Sequence, residues 1–313
     1  MGATVALTGA TGFVGGAIAR HLSAQGYRLR LLARRPAALP ALADETIAIP
    51  GGLGEPEALA RLVEGAEMVV HAAGAIKAID AQEFVRVNRD GAAAVAQAAL
   101  QAGVRRFVLI SSIAARSPLL SAYAASKRAG ETEVLDRLAE AVTILRPPIV
   151  YGPRDRETLP MFRAARLGFF PIPGPPEARL SFIHVADFAA AVGACLSAPA
   201  LPQGVFELHD GKPEGYGWRE IAAALGSAIG RIPREVPIGP LPLRLLARAA
   251  LASARLTGQA TMLRPDKVNE LRHPDWVCRD SRLAEIAQWR AHYGLADGFA
   301  DAVAWYRAHG WLK

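Results

Sequence analysis

The sequence predicts an α/β protein, a doubly wound parallel sheet with a smaller, discontinuous C-terminal substrate domain. Short β-type runs alternate with helical patterns five times before residue 115. That alternation is the signature of a parallel sheet covered by helices on both faces. A glycine-rich turn, GATGFVGG at 9–16, joins the first strand to the first helix. From residue 151 onward the chain becomes rich in proline, which reads as a second, loop-bearing part.

Residues 4–8, TVALT, form the first strand, and the helical pattern after the turn ends at Gly26. Gly9, Gly12 and Gly15 are spaced three apart between the two. Glycines there allow a tight turn and close approach of backbone to a pyrophosphate seated on the helix N-terminus. Residues 27–33, YRLRLLA, are the second strand. An acid at the end of such a strand holds the ribose hydroxyls of NAD, but Ala33 stands here, followed by Arg34 and Arg35. Two guanidiniums suit a 2′-phosphate, so NADP is expected over NAD.

Residues 46–49 are a third strand leading into Gly51, Gly52 and Leu53, and a helix occupies 57–63. The fourth strand, MVVH at 68–71, is followed by Ala72, Ala73 and Gly74, small residues that let the chain pass close to a cofactor. His71 reads as a strand-end histidine. Residues 84–101 form an alanine-rich helix with Asn88 inside it. An asparagine there is unfavourable unless it holds something. Tying loops near the cofactor and plain exposure both fit. RFVLI at 106–110 is the fifth strand, with Ser111 and Ser112 at its carboxyl end, where ligands of such sheets bind.

The next stretch, SAYAASKRAG at 121–130, carries Tyr123 and Lys127 four residues apart. On a helix both side chains leave the same face, one turn apart. A phenol beside an ammonium makes an acid/base pair, because the positive charge moves the tyrosine pKa from its usual ~10 toward neutrality.

Composition bounds the function. The chain has 313 residues, 51% of them hydrophobic and 21% charged, an ordinary globular balance. No run of about twenty apolar residues suggests a spanning helix. The N-terminus lacks the basic start and apolar core of a signal peptide. Cys195 and Cys278 lie far apart, which argues against a disulfide framework or cysteine metal site. A cytoplasmic location and no metal are expected. The net charge is +7, with arginines scattered apart from Arg34–Arg35 and Arg105–Arg106. No nucleic-acid partner is expected without a basic stripe. An anionic cofactor, an anionic substrate or a membrane surface accounts for the charge.

TGATGFVG at 8–15, AAG at 72–74, SS at 111–112 and YAASK at 123–127 together resemble the extended short-chain dehydrogenase/reductase superfamily. The resemblance falls in its epimerase/dehydratase and 3-beta-hydroxysteroid dehydrogenase-like branch. RPPIVYGPRD at 146–155, FIHVADFAAA at 182–191 and the C-terminal 294–312 extend the likeness over the whole chain. The resemblance implies a Rossmann-type fold and an NAD(P)-dependent oxidoreductase. It implies Tyr123 as general acid/base and Lys127 as the group that holds the nicotinamide ribose and depresses the tyrosine pKa. Ser112 is the implied hydroxyl on the substrate oxygen, with Ser111 beside the cofactor. Gly9, Thr11, Gly12, Phe13, Val14 and Gly15 are the implied dinucleotide turn, and Asn88 supports the cofactor loops. Pro147, Ile149 and Val150 are expected beside the nicotinamide.

The chain departs from the family pattern in places. Gly52–Leu53 stands where an acid usually contacts adenine, so contact there must come from backbone. Ile113–Ala114 replaces the Asp-Glu pair of sugar-nucleotide dehydratases, which argues against dehydration. The interval from Ser112 to Tyr123 is only eleven residues, a shorter loop than in many extended members.

In the second half, GFFPIPGPPEARLS at 168–181 cannot be regular throughout. Arg179 within it stands where relatives bind anionic sugar nucleotides, so the resemblance implies a phosphate reader, with a surface arginine as the alternative. FIHVAD at 182–187 reads as a return toward the sheet, with His184 and Asp187 structural. VFELH at 205–209 completes the sheet, and 218–228 is an amphipathic helix. Residues 241–256, LPLRLLARAALASARL, form an apolar helix with Arg244 and Arg248 on one face. It packs on the substrate domain or meets a membrane or lipid-like substrate. The expected division is 1–150 plus about 182–210 for the cofactor and about 151–181 plus 211–313 for the substrate.

The leading expectation is an NADP-dependent oxidoreductase acting on a carbonyl or secondary alcohol of a hydrophobic small molecule, sterol-, isoprenoid- or flavonoid-like. A nucleotide-sugar epimerase and a non-catalytic NADPH-binding subunit are the alternatives. A homodimer and peripheral membrane contact are compatible with the sequence.

Overall fold

Val5, Ala6 and Leu7 are completely buried in strand β1 (Thr4–Thr8), as a continuous apolar run in a two-sided parallel sheet must be. The computed structural model describes residues 2–42, 46–139 and 142–313. It places β1 in one sheet with β2 (Arg28–Ala33), β3 (Thr46–Pro50), β4 (Met68–His71), β5 (Arg106–Ile110) and β6 (Val142–Arg146). All of these pair in parallel. Gly204–Glu207 completes a sheet of seven strands, whose order is Gly204–Glu207, β6, β5, β4, β1, β2, β3. This is the Rossmann-type α/β architecture. β6 is not among the strands that the sequence predicts.

The order reverses between β1 and β4, because β1 to β3 step one way and β4 to β6 the other. Registers pair Thr8 with His71 and His71 with Leu109, so three strands end at one level beside that switch point. The helices Pro56–Val63, Gly91–Gln101 and Ala122–Leu138 cover one face. Leu59, Leu62, Val95, Ala96 and Val134 pack there against Val69, Phe107, Leu109 and Ile144.

The chain divides into two compact units. The first comprises Met1–Arg146, Ala189–Phe206 and Ser281–Trp289 and holds the sheet. Arg106 is structural within it, whereas Arg105 is exposed. Arg105 faces Glu67 at 3.4 Å. The Arg106 guanidinium donates to the carbonyls of Leu196, Ala198 and Pro199, closing the end of the helix Val185–Ser197.

The second unit comprises Pro147–Phe188, Glu207–Asp280 and Arg290–Lys313. Phe182–His184 pairs with Ile149–Tyr151 in a small sheet of its own rather than returning to the central one. The proline-rich 168–181 has strands only near its ends, Phe169–Ile172 and Arg179–Leu180. Tyr151, Phe162, Phe182 and Phe299 meet edge to face at 5.0 to 6.0 Å and form an aromatic core. The Arg179 guanidinium donates to the carbonyls of Glu214 and Gly215 and pairs with Glu220. His184 lies 3.2 Å from Asp301, and Asp187 accepts from the Tyr293 amide.

Candidate active site

The glycine turn is shaped by close backbone contacts. Gly9 has φ of +81°, and a Cβ there would stand 2.6 Å from the Ala73 nitrogen. A Cβ on Gly15 would stand 2.2 Å from the Gly9 carbonyl oxygen. Both positions therefore need glycine. The Gly12 amide donates to the Gly9 carbonyl, and Gly12 begins the helix Phe13–Ala24 without a capping side chain. Thr11 and Gly12 are exposed and Phe13 and Val14 half-buried, so the first-turn amides face outward with the positive end of the helix dipole.

Behind the turn, the Ala73 amide donates to Thr8 Oγ1, and Thr8 Oγ1 lies 2.7 Å from His71 Nδ1. His71 is buried, and burial followed by the Lys127 charge pushes its pKa down to about 3. It is a neutral member of the strand ends, as the sequence suggests.

Asn88 sits in a π-helical turn, Val85–Asp90, between the helices Ala81–Phe84 and Gly91–Gln101. Its side chain accepts from the Ala75 amide at 2.8 Å, donates to the Ala75 carbonyl at 3.0 Å and donates to Ser126 Oγ at 2.9 Å. It thus fixes the loop after Ala72, Ala73 and Gly74 to the helix that carries Tyr123. Gly130 makes the crossing possible, since a Cβ there would stand 2.2 Å from the Asn88 carbonyl oxygen.

Ser121 caps the helix Ala122–Leu138, accepting from the Ala124 amide at 3.0 Å. Tyr123 follows in the first turn, half-buried, with the Phe84 ring edge-on at 5.8 Å. Lys127 is buried one turn later, its Nζ donating to the Ile110 carbonyl at 2.8 Å. A Cβ on Gly74 would lie 3.7 Å from that Nζ. Burial pushes the Lys127 pKa down to about 8, opposed by Glu131.

Glu131 and Arg146 are participants that the sequence reading misses. Glu131 is 1% exposed. It accepts from Ser111 Oγ at 2.5 Å, from Arg146 Nε at 2.8 Å and from Arg146 Nη2 at 2.5 Å. Two features could have found them. Glu131 stands four after Lys127, on the same helical face, and Arg146 closes a strand that is otherwise wholly buried and mostly apolar. Ser111 therefore points its hydroxyl at Glu131. Ser112 is half-buried, and its Oγ accepts from the Ala114 amide at 3.2 Å.

Arg34 and Arg35 are exposed just past β2, with the Arg34 stem beside Gly52. The Gly52 amide donates to Glu55, and Leu53 turns inward against Gly91 and the core. Pro147, Ile149 and Val150 open the second unit, where Ile149–Tyr151 is a strand. A groove of about 630 Å³ lined by Glu67, Arg105 and Arg106 opens at the amino ends of β4 and β5, the opposite end of the strands from these groups.

Residues 5–207 match the model of the NAD-dependent epimerase/dehydratase family. The chain belongs to that family. Its members are NAD(P)-dependent, and this epimerase/dehydratase-family chain is an oxidoreductase of the extended short-chain type. It is 45% identical over 312 residues to the ceramide reductase of Caulobacter vibrioides, covering 98% of this chain and 96% of that protein. It is 28% identical to the sterol demethylase protein B of Methylococcus capsulatus, covering 99% and 100%. The solved structure of WbmG from Bordetella bronchiseptica, in complex with NAD, shares the fold with a TM-score of 0.76 at 22% identity, covering 100% and 96%. The cradle of this family member fits a dinucleotide, because Gly9 and Gly15 leave no room for a side chain while Gly12 opens outward.

Proposed function

We propose that this protein is an NADP-dependent reductase that converts a ketone on a hydrophobic, ceramide-type lipid to a secondary alcohol, with Tyr123 as proton donor. The observation that supports it best is Tyr123 one helical turn before a buried Lys127 whose ammonium is fixed on the Ile110 carbonyl. The substrate class rests on the full-length similarity to a protein named ceramide reductase. Ile113–Ala114, in place of a dehydratase acid pair, agrees with it.

The turn of Gly9, Thr11, Gly12, Phe13, Val14 and Gly15 would seat the pyrophosphate at the helix N-terminus, with the Gly12 amide holding the turn through the Gly9 carbonyl, and Ala72, Ala73 and Gly74 would pass beside it. Arg34 and Arg35 would pair with a 2′-phosphate. The bound dinucleotide supplies the hydride. The Tyr123 phenol gives its proton to the carbonyl oxygen as the carbon becomes tetrahedral. Ser112 uses a lone pair for the Ala114 amide and keeps its own proton for the same oxygen. Lys127 is charged below about pH 8 and favours the phenolate that proton release leaves. Asn88 keeps the loop and the helix in register.

The test is dinucleotide consumption with a ketone-bearing ceramide. Ketone-dependent oxidation of NADPH, faster than of NADH, is expected. Interconversion of a UDP-sugar without net dinucleotide turnover would establish an epimerase instead. NADPH binding without turnover of either substrate would make the protein a binding subunit.

A further inference from the structure

The helix Pro240–Thr257 in the second unit is a surface helix whose outer face is partly apolar. Its sequence, PLPLRLLARAALASARLT, contains three arginines and no acid. Leu243, Ala247 and Ala254 are its buried residues. Leu243 and Ala247 form a small cluster with Val268, against which Ile238, Leu263 and Leu271 also pack. A helix held this way in a soluble protein places its apolar stripe inward and polar residues outward. Here Leu241 is 66%, Leu245 54%, Leu246 57% and Leu256 88% exposed.

The outer face is ordered rather than mixed. At ~100° per residue, Leu241, Leu245, Ala249, Ala252 and Leu256 share an arc of about 80°. Arg244, Arg248 and Arg255 fall within an adjoining arc of about 40°. All three arginines are exposed. An apolar band edged by a basic stripe lets leucines enter the acyl boundary while guanidiniums reach lipid phosphates on their long stems. The chain feeding the helix continues this character. Ile232 is 74% exposed, and Arg231 and Arg234 are exposed beside it. A second copy of this chain, itself of net charge +7, would bring like charge to like charge.

We infer that the outer face of the helix Pro240–Thr257 docks on an anionic lipid bilayer. The inference goes beyond the proposed reaction and does not depend on the substrate. It gives an enzyme without a membrane-crossing helix among its described residues a way to reside where bilayer-borne molecules are.

The experiment is flotation of the full-length protein with vesicles of phosphatidylcholine alone or containing about a third phosphatidylglycerol. The protein should float with the anionic vesicles, stay unbound with neutral ones and be released by raised salt. The triple variant R244Q/R248Q/R255Q should lose about a hundredfold in partitioning, at roughly fivefold for each arginine. The double variant L245S/L256S should also detach, and both variants should keep NADPH binding. Equal binding to neutral vesicles, no wild-type flotation, or variants that partition as wild type would overturn the inference. A dimer in solution that dissociates on the same substitutions, without vesicle binding, would replace it with a protein interface. None of these readouts requires turnover, so failure here is distinct from failure of the proposed reduction.

Discussion

Arg146 grips Glu131 at two points, with Nε at 2.8 Å and Nη2 at 2.5 Å from the carboxylate. Both residues are buried, and Lys127 lies one helical turn before Glu131. The acid thus balances two buried cations, one structural and one at the site. Removing one partner of a buried pair leaves the other without compensation. Glu131→Gln should lower the unfolding free energy by about 3 kcal/mol or more, read by urea unfolding. Loss below about 0.5 kcal/mol, the size of an ordinary surface substitution, would show that the network is not structural.

The proposed role of Lys127 implies a pH limit. Its pKa lies at about 8 in the folded chain, below the ordinary lysine value of 10.5. The ammonium is present below that pH and is lost as pH rises through it. The kcat/KM for NADPH should therefore fall above about pH 8, and Lys127→Met should be poor at every pH without that limb. Stability moves the other way. Between pH 8 and 10.5 the unfolded chain holds the proton that the folded chain has released, so this group makes the fold more stable as pH rises there. A wild-type kcat/KM flat from pH 7 to 9.5 would contradict the assignment.

Gly130 offers a test against propensity. Alanine favours a helix over glycine by about 1 kcal/mol. At Gly130 the added Cβ would stand 2.2 Å from the Asn88 carbonyl oxygen. Gly130→Ala should therefore destabilise the protein and reduce NADPH affinity together, by moving Asn88 off the Ala75 loop. A thermal melt and a binding titration check both. A variant as stable as wild type, with unchanged affinity, would show that the helices separate at no cost.

In the proposed function, Arg34 and Arg35 favour NADPH over NADH. Arg34→Ala with Arg35→Ala should weaken NADPH by about tenfold to a hundredfold, at 1.5–3 kcal/mol for a charged hydrogen bond, and leave NADH within about twofold. Equal loss for both dinucleotides in fluorescence titrations would remove the 2′-phosphate role.

Much of the sheet was legible because parallel strands are short apolar runs closed by small residues, as at MVVH-AAG and RFVLI-SS. The glycine turn was legible because its spacing follows from backbone clearance, which the contacts of Gly9 and Gly15 display. β6 escaped because VTILR follows a long helix directly and ends in a charge that ordinarily marks a surface. Only the fold brings Glu131 to that arginine. For Asn88 the sequence leaves a loop tie and plain exposure open, because its partner Ser126 lies far along the chain. Arg179 could not be assigned from sequence, because its partners at 214, 215 and 220 are far along the chain. Phe182–His184 is an apolar run, and nothing local told which sheet it would join.

The proposed reaction turns on proton transfer by Tyr123. The direct measurement is turnover of NADPH with a ketone-bearing ceramide by wild type and Tyr123→Phe, alongside NADPH binding by fluorescence. Tyr123→Phe should lose about a hundredfold to ten-thousandfold in kcat, with dinucleotide affinity within about twofold. Turnover by Tyr123→Phe equal to wild type would contradict it.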